Sequence, residues 1–216
     1  MAKKQTNSQE VVNKPKKEVR RKKKETGRGG YFLKRCLAFI IDWYISSVLA
    51  NLAISLASGL MNSEITVVTD LTVFSFGQAL VMLLFVFITM LFYFVYIPMK
   101  VWPGQTCMMR VLQLKIVGLD GQDLTWKQML LRFCVGCLIL EGGFYFMTSI
   151  TIDVFVTYLF ASYKDVIDMV IGLPLQVLTI ASCIFAIKDK KHSQLFHDRL
   201  VKSEVIDLYD GGNGAL

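Results

Sequence analysis

At 216 residues, 54% of them hydrophobic, and with a mean hydropathy of +0.47, the chain is too apolar for an ordinary soluble domain. Its net charge of +7 does not point to nucleic acid, because the basic residues follow topology and are not gathered on one folded face. Of the 24 Lys and Arg, thirteen precede Cys36, five fall in 99–132, five follow Ile187 and the remaining one is Lys164. The positive-inside rule then places both termini and the middle loop in the cytoplasm, with 61–73 and about 151–165 outside.

The expected fold class is an all-α membrane protein, a four-helix transmembrane bundle with a small cytosolic β-hairpin or sheet element. Residues 1–30 read as a disordered cytosolic tail, 31–206 as the transmembrane domain and 207–216 as a flexible tail. The lead is basic from Lys14 to Lys24, and each such charge near an anionic leaflet is worth about 1 kcal/mol. It is expected to set topology and to lie against inner-leaflet lipids. No cleavable signal peptide is expected, since the basic lead and the first apolar run are both too long.

A span takes about 20 apolar residues, and four stretches qualify, near 32–58, 74–98, 129–150 and 166–187. In the first, Arg35 stands at the mouth and Asp42 two turns deeper. Ala38, Asp42, Ser46, Ala50, Ala53 and Ala57 recur at steps of three or four, which makes one small and polar face turned toward other helices. A carboxylate near the bilayer centre costs roughly 2.5–3.5 kcal/mol on insertion scales, so Asp42 is expected to have either a structural partner or a transport task. Seven residues of helix separate it from Arg35 by about 10 Å, too far for a direct ion pair, and Arg35 is expected to snorkel toward headgroups. Counted inward, Thr89, Glu141 and Gln176 fall near the depth of Asp42, which predicts a polar layer able to trade a proton for a cation. Between Ile150 and Tyr163 the chain stays apolar but carries Asp153, and a tilted helix, a re-entrant piece and an interfacial helix all fit.

The cytoplasmic loop, 99–128, has its own organisation. Thr106 is placed to cap a short amphipathic stretch after the Trp102-Pro103-Gly104-Gln105 turn. Leu114–Val117 and Leu124–Trp126 flank Asp120-Gly121 as a predicted hairpin, and Thr125 with Gln128 has the capping-box spacing that opens the third span. Ser203–Ile206 reads as a strand that adds to this hairpin by backbone pairing, bringing Asp198 to the depth of Arg35 as its preferred ion pair. Arg132, His197 and Arg199 are structural partners in this reading. His192 and His197 with Asp198 are too widely spaced for one helical face, so no metal is expected. Cys134 and Cys137 match a redox spacing but sit in an apolar helix and read as packing. No nucleophile, base and orienting group converge, so neither an enzyme nor a cofactor is expected.

Arg35, Ala38 and Asp42, the Pro103-Gly104-Gln105-Thr106 turn, Asp120-Gly121, Arg132, and His197-Asp198-Arg199 followed by Ser203 and Val205 together resemble the RDD family of bacterial membrane proteins. The likeness covers 31–206. The family is named for one arginine and two aspartates, which the resemblance matches to Arg35, Asp42 and Asp198. Cys107-Met108-Met109 departs from the Pro-Gly-Lys of many members, and Ser203 from their threonine. The resemblance implies a multi-pass protein of the bacterial plasma membrane, with sodium/proton antiport proposed for some members. The alternative is a non-enzymatic assembly or accessory protein that binds partner helices. Four spans leave little room for alternating access, so transport would call for a homo-oligomer or a membrane-protein partner.

Overall fold

The computed structural model describes residues 28–62, 70–142, 146–189 and 194–208. The expected tails, 1–30 and 207–216, fall outside these except for 28–30, which begin the first helix, and 207–208, at the end of the last strand. Helix α1 (Arg28–Asn62) has 35 residues, roughly 50 Å of helix, which exceeds the hydrocarbon thickness. Its small face is buried, with Ala38, Ser46, Ala50, Ala53 and Ala57 nearly inaccessible, and it packs chiefly along α2 (Phe76–Val101). The opposite face carries Ile40, Leu52, Leu56 and Leu60, each more than half exposed, as a lipid-facing surface requires.

The first, second and fourth expected spans correspond to α1, α2 and α6 (Ala161–Lys188), each long and apolar enough to cross a membrane. Ser75 and Gln78 form a capping box that starts α2, and the helix widens to π-helical turns over Phe92–Val101, where Pro98 has no N–H to donate. Beyond it the chain folds back: Gly104 N–H donates to Pro98 O at 2.7 Å and Ile116 N–H to Gly104 O at 2.7 Å. Gly104 has φ +74° and a side chain there would meet Ile116 O at 2.5 Å, so this turn requires glycine.

The expected third span, 129–150, is not one helix. Helix α4 (Trp126–Leu131) opens on the Thr125 capping box, continues in wide turns over Arg132–Leu140 and stops. A separate helix, α5 (Phe146–Leu159), follows. The wide turns close with Glu141 N–H on Gly136 O at 3.0 Å, and the sequence then gives two glycines, Gly142 and Gly143, which weaken any continuation. Helix α5 reaches the start of α2, where the Tyr158 hydroxyl donates to Phe74 O and Phe76 packs against Phe155 at 6.2 Å. Asp153, whose segment was open in the sequence, therefore lies on a helix in the half of the bundle away from the sheet.

The sheet also differs from expectation. Strand β1 (Leu114–Gly118) does not form a hairpin with 124–126; Thr125 and Trp126 instead cap and begin α4. The Asp120-Gly121 turn is present, with Gly121 N–H on Gly118 O at 2.8 Å and Gly121 at φ +77°. The partner of β1 is β2 (Ser203–Asp207), antiparallel, with Ile116 opposite Val205. Between α2 and β1 lies α3 (Cys107–Val111), and between α6 and β2 lies α7 (Phe196–Leu200).

Candidate functional site

Pairing β2 with β1 carries α7 to the mouth of α1. The Tyr31 hydroxyl donates to Val205 O at 2.6 Å and Lys34 Nζ meets Asp207 Oδ2 at 2.6 Å, which fixes the strand beside the first turns of α1. Arg35 then reaches Asp198 and does not snorkel: Nη2 donates to Asp198 Oδ2, which also accepts the Leu195 N–H at 3.1 Å. Asp198 Oδ1 accepts from Arg132 Nη2 at 2.7 Å and Nε at 3.2 Å. Asp198 is fully buried, and Arg35 and Arg132 retain less than a tenth of their exposure. Arg199, grouped with these in the sequence reading, stays outside, 3.5 Å from Asp189.

A second carboxylate adjoins this pair. Glu141 Oε1 accepts from Ser182 Oγ at 2.5 Å and from the His197 N–H at 3.1 Å, while Oε2 lies 2.7 Å from His197 Nδ1. His197 Nε2 is 2.8 Å from Arg132 Nη2 and 3.3 Å from Asp198 Oδ1. Arginine only donates, so the shorter contact belongs to a neutral ring whose Nδ1–H points at Glu141. With that tautomer the buried charges cancel, two arginines against two carboxylates. Gly136 makes the approach of α4 to α7 possible, because a Cβ there would stand 2.4 Å from His197 Cβ.

Burial alone would raise the Asp198 carboxyl, but the Arg35 and Arg132 guanidinium groups, joined by His197 when its ring is protonated, hold it well below the carboxylate range. Burial and Arg132 favour a neutral His197 ring, yet the Asp198 and Glu141 carboxylates outweigh them and raise its pKa. Protonation would move Nε2 from accepting at Arg132 to donating at Asp198. The two shifts have opposite signs in pH. The contribution of Asp198 is complete above its unfolded value, about 3.9, and is lost as pH falls through the lower folded value. That of His197 is complete below about 6.5 and is lost as pH rises through the higher folded value. Thermal unfolding in detergent is therefore expected to peak between about pH 4 and 6.5, and a His197→Gln variant to lose the alkaline decline while keeping the acid one.

Asp42 forms a separate cluster. Its carboxylate accepts from the Tyr93 hydroxyl and Thr106 Oγ1, each at 2.5 Å, and from the Met108 N–H at 3.2 Å. These donors are all neutral, and they pin the start of α3 to α1. The predicted polar layer is thus divided. Thr89 donates to Phe85 O on its own helix, Glu141 lies with His197, and Gln176 is exposed on α6. The sequence reading omitted Tyr93 and Ser182, and nothing in their spacing distinguishes them from other polar residues of apolar helices.

Beside the break between α4 and α5 lies a cleft of about 430 Å³, lined by Gly142, Thr148, Ser149, Asp153 and Gln176 among others. Gln176 is the one member of the predicted layer that reaches it.

Helices long and apolar enough to cross a bilayer, apolar faces turned outward and charges paired inward define an integral membrane protein with a charge-stapled helical core. The chain belongs to the RDD family, whose model matches residues 30–202. No curated protein and no solved structure matches it.

Proposed function

We propose that this protein exchanges a cation for protons across the bacterial plasma membrane, with both termini in the cytoplasm and Glu141 as the proton-carrying side chain. The observation that supports it is the interruption of the third passage at Glu141-Gly142, directly beside the polar cleft. In this reading α4 and α5 are the two halves of one discontinuous crossing. Such breaks bind ions in transporters because their ends leave backbone groups unsatisfied at depth. Glu141 has proton partners in place, His197 Nδ1 and Ser182 Oγ, whereas Asp198 is held ionised by two arginines. Asp42 serves to anchor the loop, and the protein is not an enzyme: among the described residues, His197 is committed between Glu141 and Arg132. Two or more copies assemble to give alternating access.

In proteoliposomes under imposed sodium and proton gradients, the wild type is expected to exchange ions, and Glu141→Gln to lose at least tenfold of the rate at a temperature where it still unfolds cooperatively in detergent, although at a lower midpoint than wild type. An inactive wild type that is well folded would contradict the reading. It would favour an accessory role, for which the exposed Leu173, Val177, Ile180 and Ile187 of α6 offer an apolar face to partner helices.

A further inference from the structure

The loop that folds back beside Asp42 carries cations that no carboxylate answers. Arg110, on the outward side of α3, has its guanidinium carbon 5.2 Å from the centre of the Trp102 ring. Lys100 stands near the end of α2, two residues before that tryptophan, and both cations are exposed. Among the described residues neither has an ion pair, whereas Lys34, Lys115 and Arg199 meet Asp207, Asp123 and Asp189. The Trp102 indole N–H likewise finds no acceptor among the described residues, although the backbone N–H of that residue donates to Ile97 O at 2.9 Å. Depth gives these groups their meaning. Asp42 lies seven residues beyond Arg35 on α1, about 10 Å farther into the bundle, and it accepts the Met108 N–H at 3.2 Å, which holds α3 at its level. In a bilayer that α1 enters near Arg35, that level is the inner edge of the headgroup region. The outward side of α3 suits it, since Val111, next to Arg110, is 67% exposed. An arginine so placed turns its guanidinium back along an aromatic face toward the headgroups, where it requires an anion.

We infer that Lys100, Trp102 and Arg110 form a binding site for the phosphate of an anionic phospholipid in the leaflet at the sheet end of the bundle. A guanidinium and a phosphate match as a bidentate pair, the indole N–H adds a donor, and the Lys100 ammonium adds a second charge. A zwitterionic lipid brings its own cation beside its phosphate and repels these two, so the site selects a headgroup of net negative charge. Val111 then rests on the upper acyl chain of the same lipid, as the apolar side of an interfacial helix does. A soluble acidic peptide would satisfy the cations but would not reach them at this depth. The site requires that this end of the bundle lie in a membrane, and it is independent of ion exchange.

The test uses Trp102 as the reporter. Trp43→Phe with Trp126→Phe leaves it as the single tryptophan of the full-length protein, which is reconstituted into vesicles of one composition in both leaflets, so that orientation does not enter. The lipid is replaced stepwise by brominated phosphatidylglycerol or by brominated phosphatidylcholine, whose bromines quench a nearby indole. The anionic lipid is expected to reach half-maximal quenching at a several-fold lower mole fraction. Arg110→Gln should make the two lipids equal, and Arg110→Lys should keep part of the preference. Lys202→Gln is the control for charge alone: it precedes Ser203, which pairs with Gly118 at the strand end remote from α3, and should leave the preference intact. Equal quenching by the two lipids before any charge is removed would overturn the site. A preference that survives Arg110→Gln would also overturn it, by assigning the anionic lipid to the basic lead. If Arg110→Gln fails to fold, Lys100→Gln decides, with a preference at least halved expected and an unchanged preference contradicting the site.

Discussion

Asp198→Asn should cost about 3–5 kcal/mol, the largest loss expected of any single change in this protein, because breaking a buried pair strands its partner charges. Two guanidinium groups depend on this carboxylate, Arg35 through Oδ2 and Arg132 through Oδ1. An asparagine keeps the volume and one acceptor oxygen, but leaves two cations facing an amide in a site sealed from water. Oδ2 also accepts the Leu195 N–H, so the same change loosens the start of α7. The consequence extends to β2, which follows α7 by two residues and closes the sheet with β1. The measurement is the unfolding midpoint in detergent together with protection of Tyr31, whose hydroxyl donates to Val205 O. A midpoint within experimental error of wild type would mean that the arginines find water or headgroups as readily as they find Asp198.

Gly136→Ala is expected to cost about 1–3 kcal/mol by overpacking, although it adds a single methyl group and is helix-favouring by propensity alone. The added carbon would stand 2.4 Å from His197 Cβ and 3.0 Å from its Cα, and a backbone atom cannot rotate away as a side-chain tip can. Helix α7 must therefore retreat from α4, and the retreat stretches the His197 contacts to Glu141 and Arg132 together. The signature is a lower midpoint with a flattened pH profile, since the variant has already lost what titration would remove. Cys137→Ala, one residue along, removes a buried but uncharged side chain and should leave the profile's shape unchanged.

The charge staple is partly legible in the sequence. Ser203–Ile206 alternates as a strand does and the loop offered an edge for it, so the proximity of Asp198 to Arg35 followed from pairing rules. The strand's true partner was half-legible. Local turn chemistry at Asp120-Gly121 suggested a hairpin, but Thr125 and Gln128 compete for the second arm, and the capping box prevails because it starts a helix that buries Met129 and Phe133. The break at Glu141 was obscured by averaging: a window of about 20 residues reads one carboxylate and two glycines as a tolerable interruption. A carboxylate followed at once by Gly-Gly was nonetheless a local signal of helix termination. What no spacing could supply was which polar side chains meet. Asp42 is about 50 residues from Tyr93 and about 60 from Thr106, and only the fold-back through Gly104 closes those distances. The layer predicted from depth alone failed for the same reason, since equal depth says nothing about which face a residue occupies.

A double-mutant cycle on Arg35→Gln and Asp198→Asn tests most directly whether the far end of the chain is held in the bundle by this one carboxylate. The structure predicts that each single variant is strongly destabilised and that the double variant regains part of the loss, with a coupling of about 1–3 kcal/mol. Additive losses would contradict it, for they would mean that the arginine and the aspartate act apart.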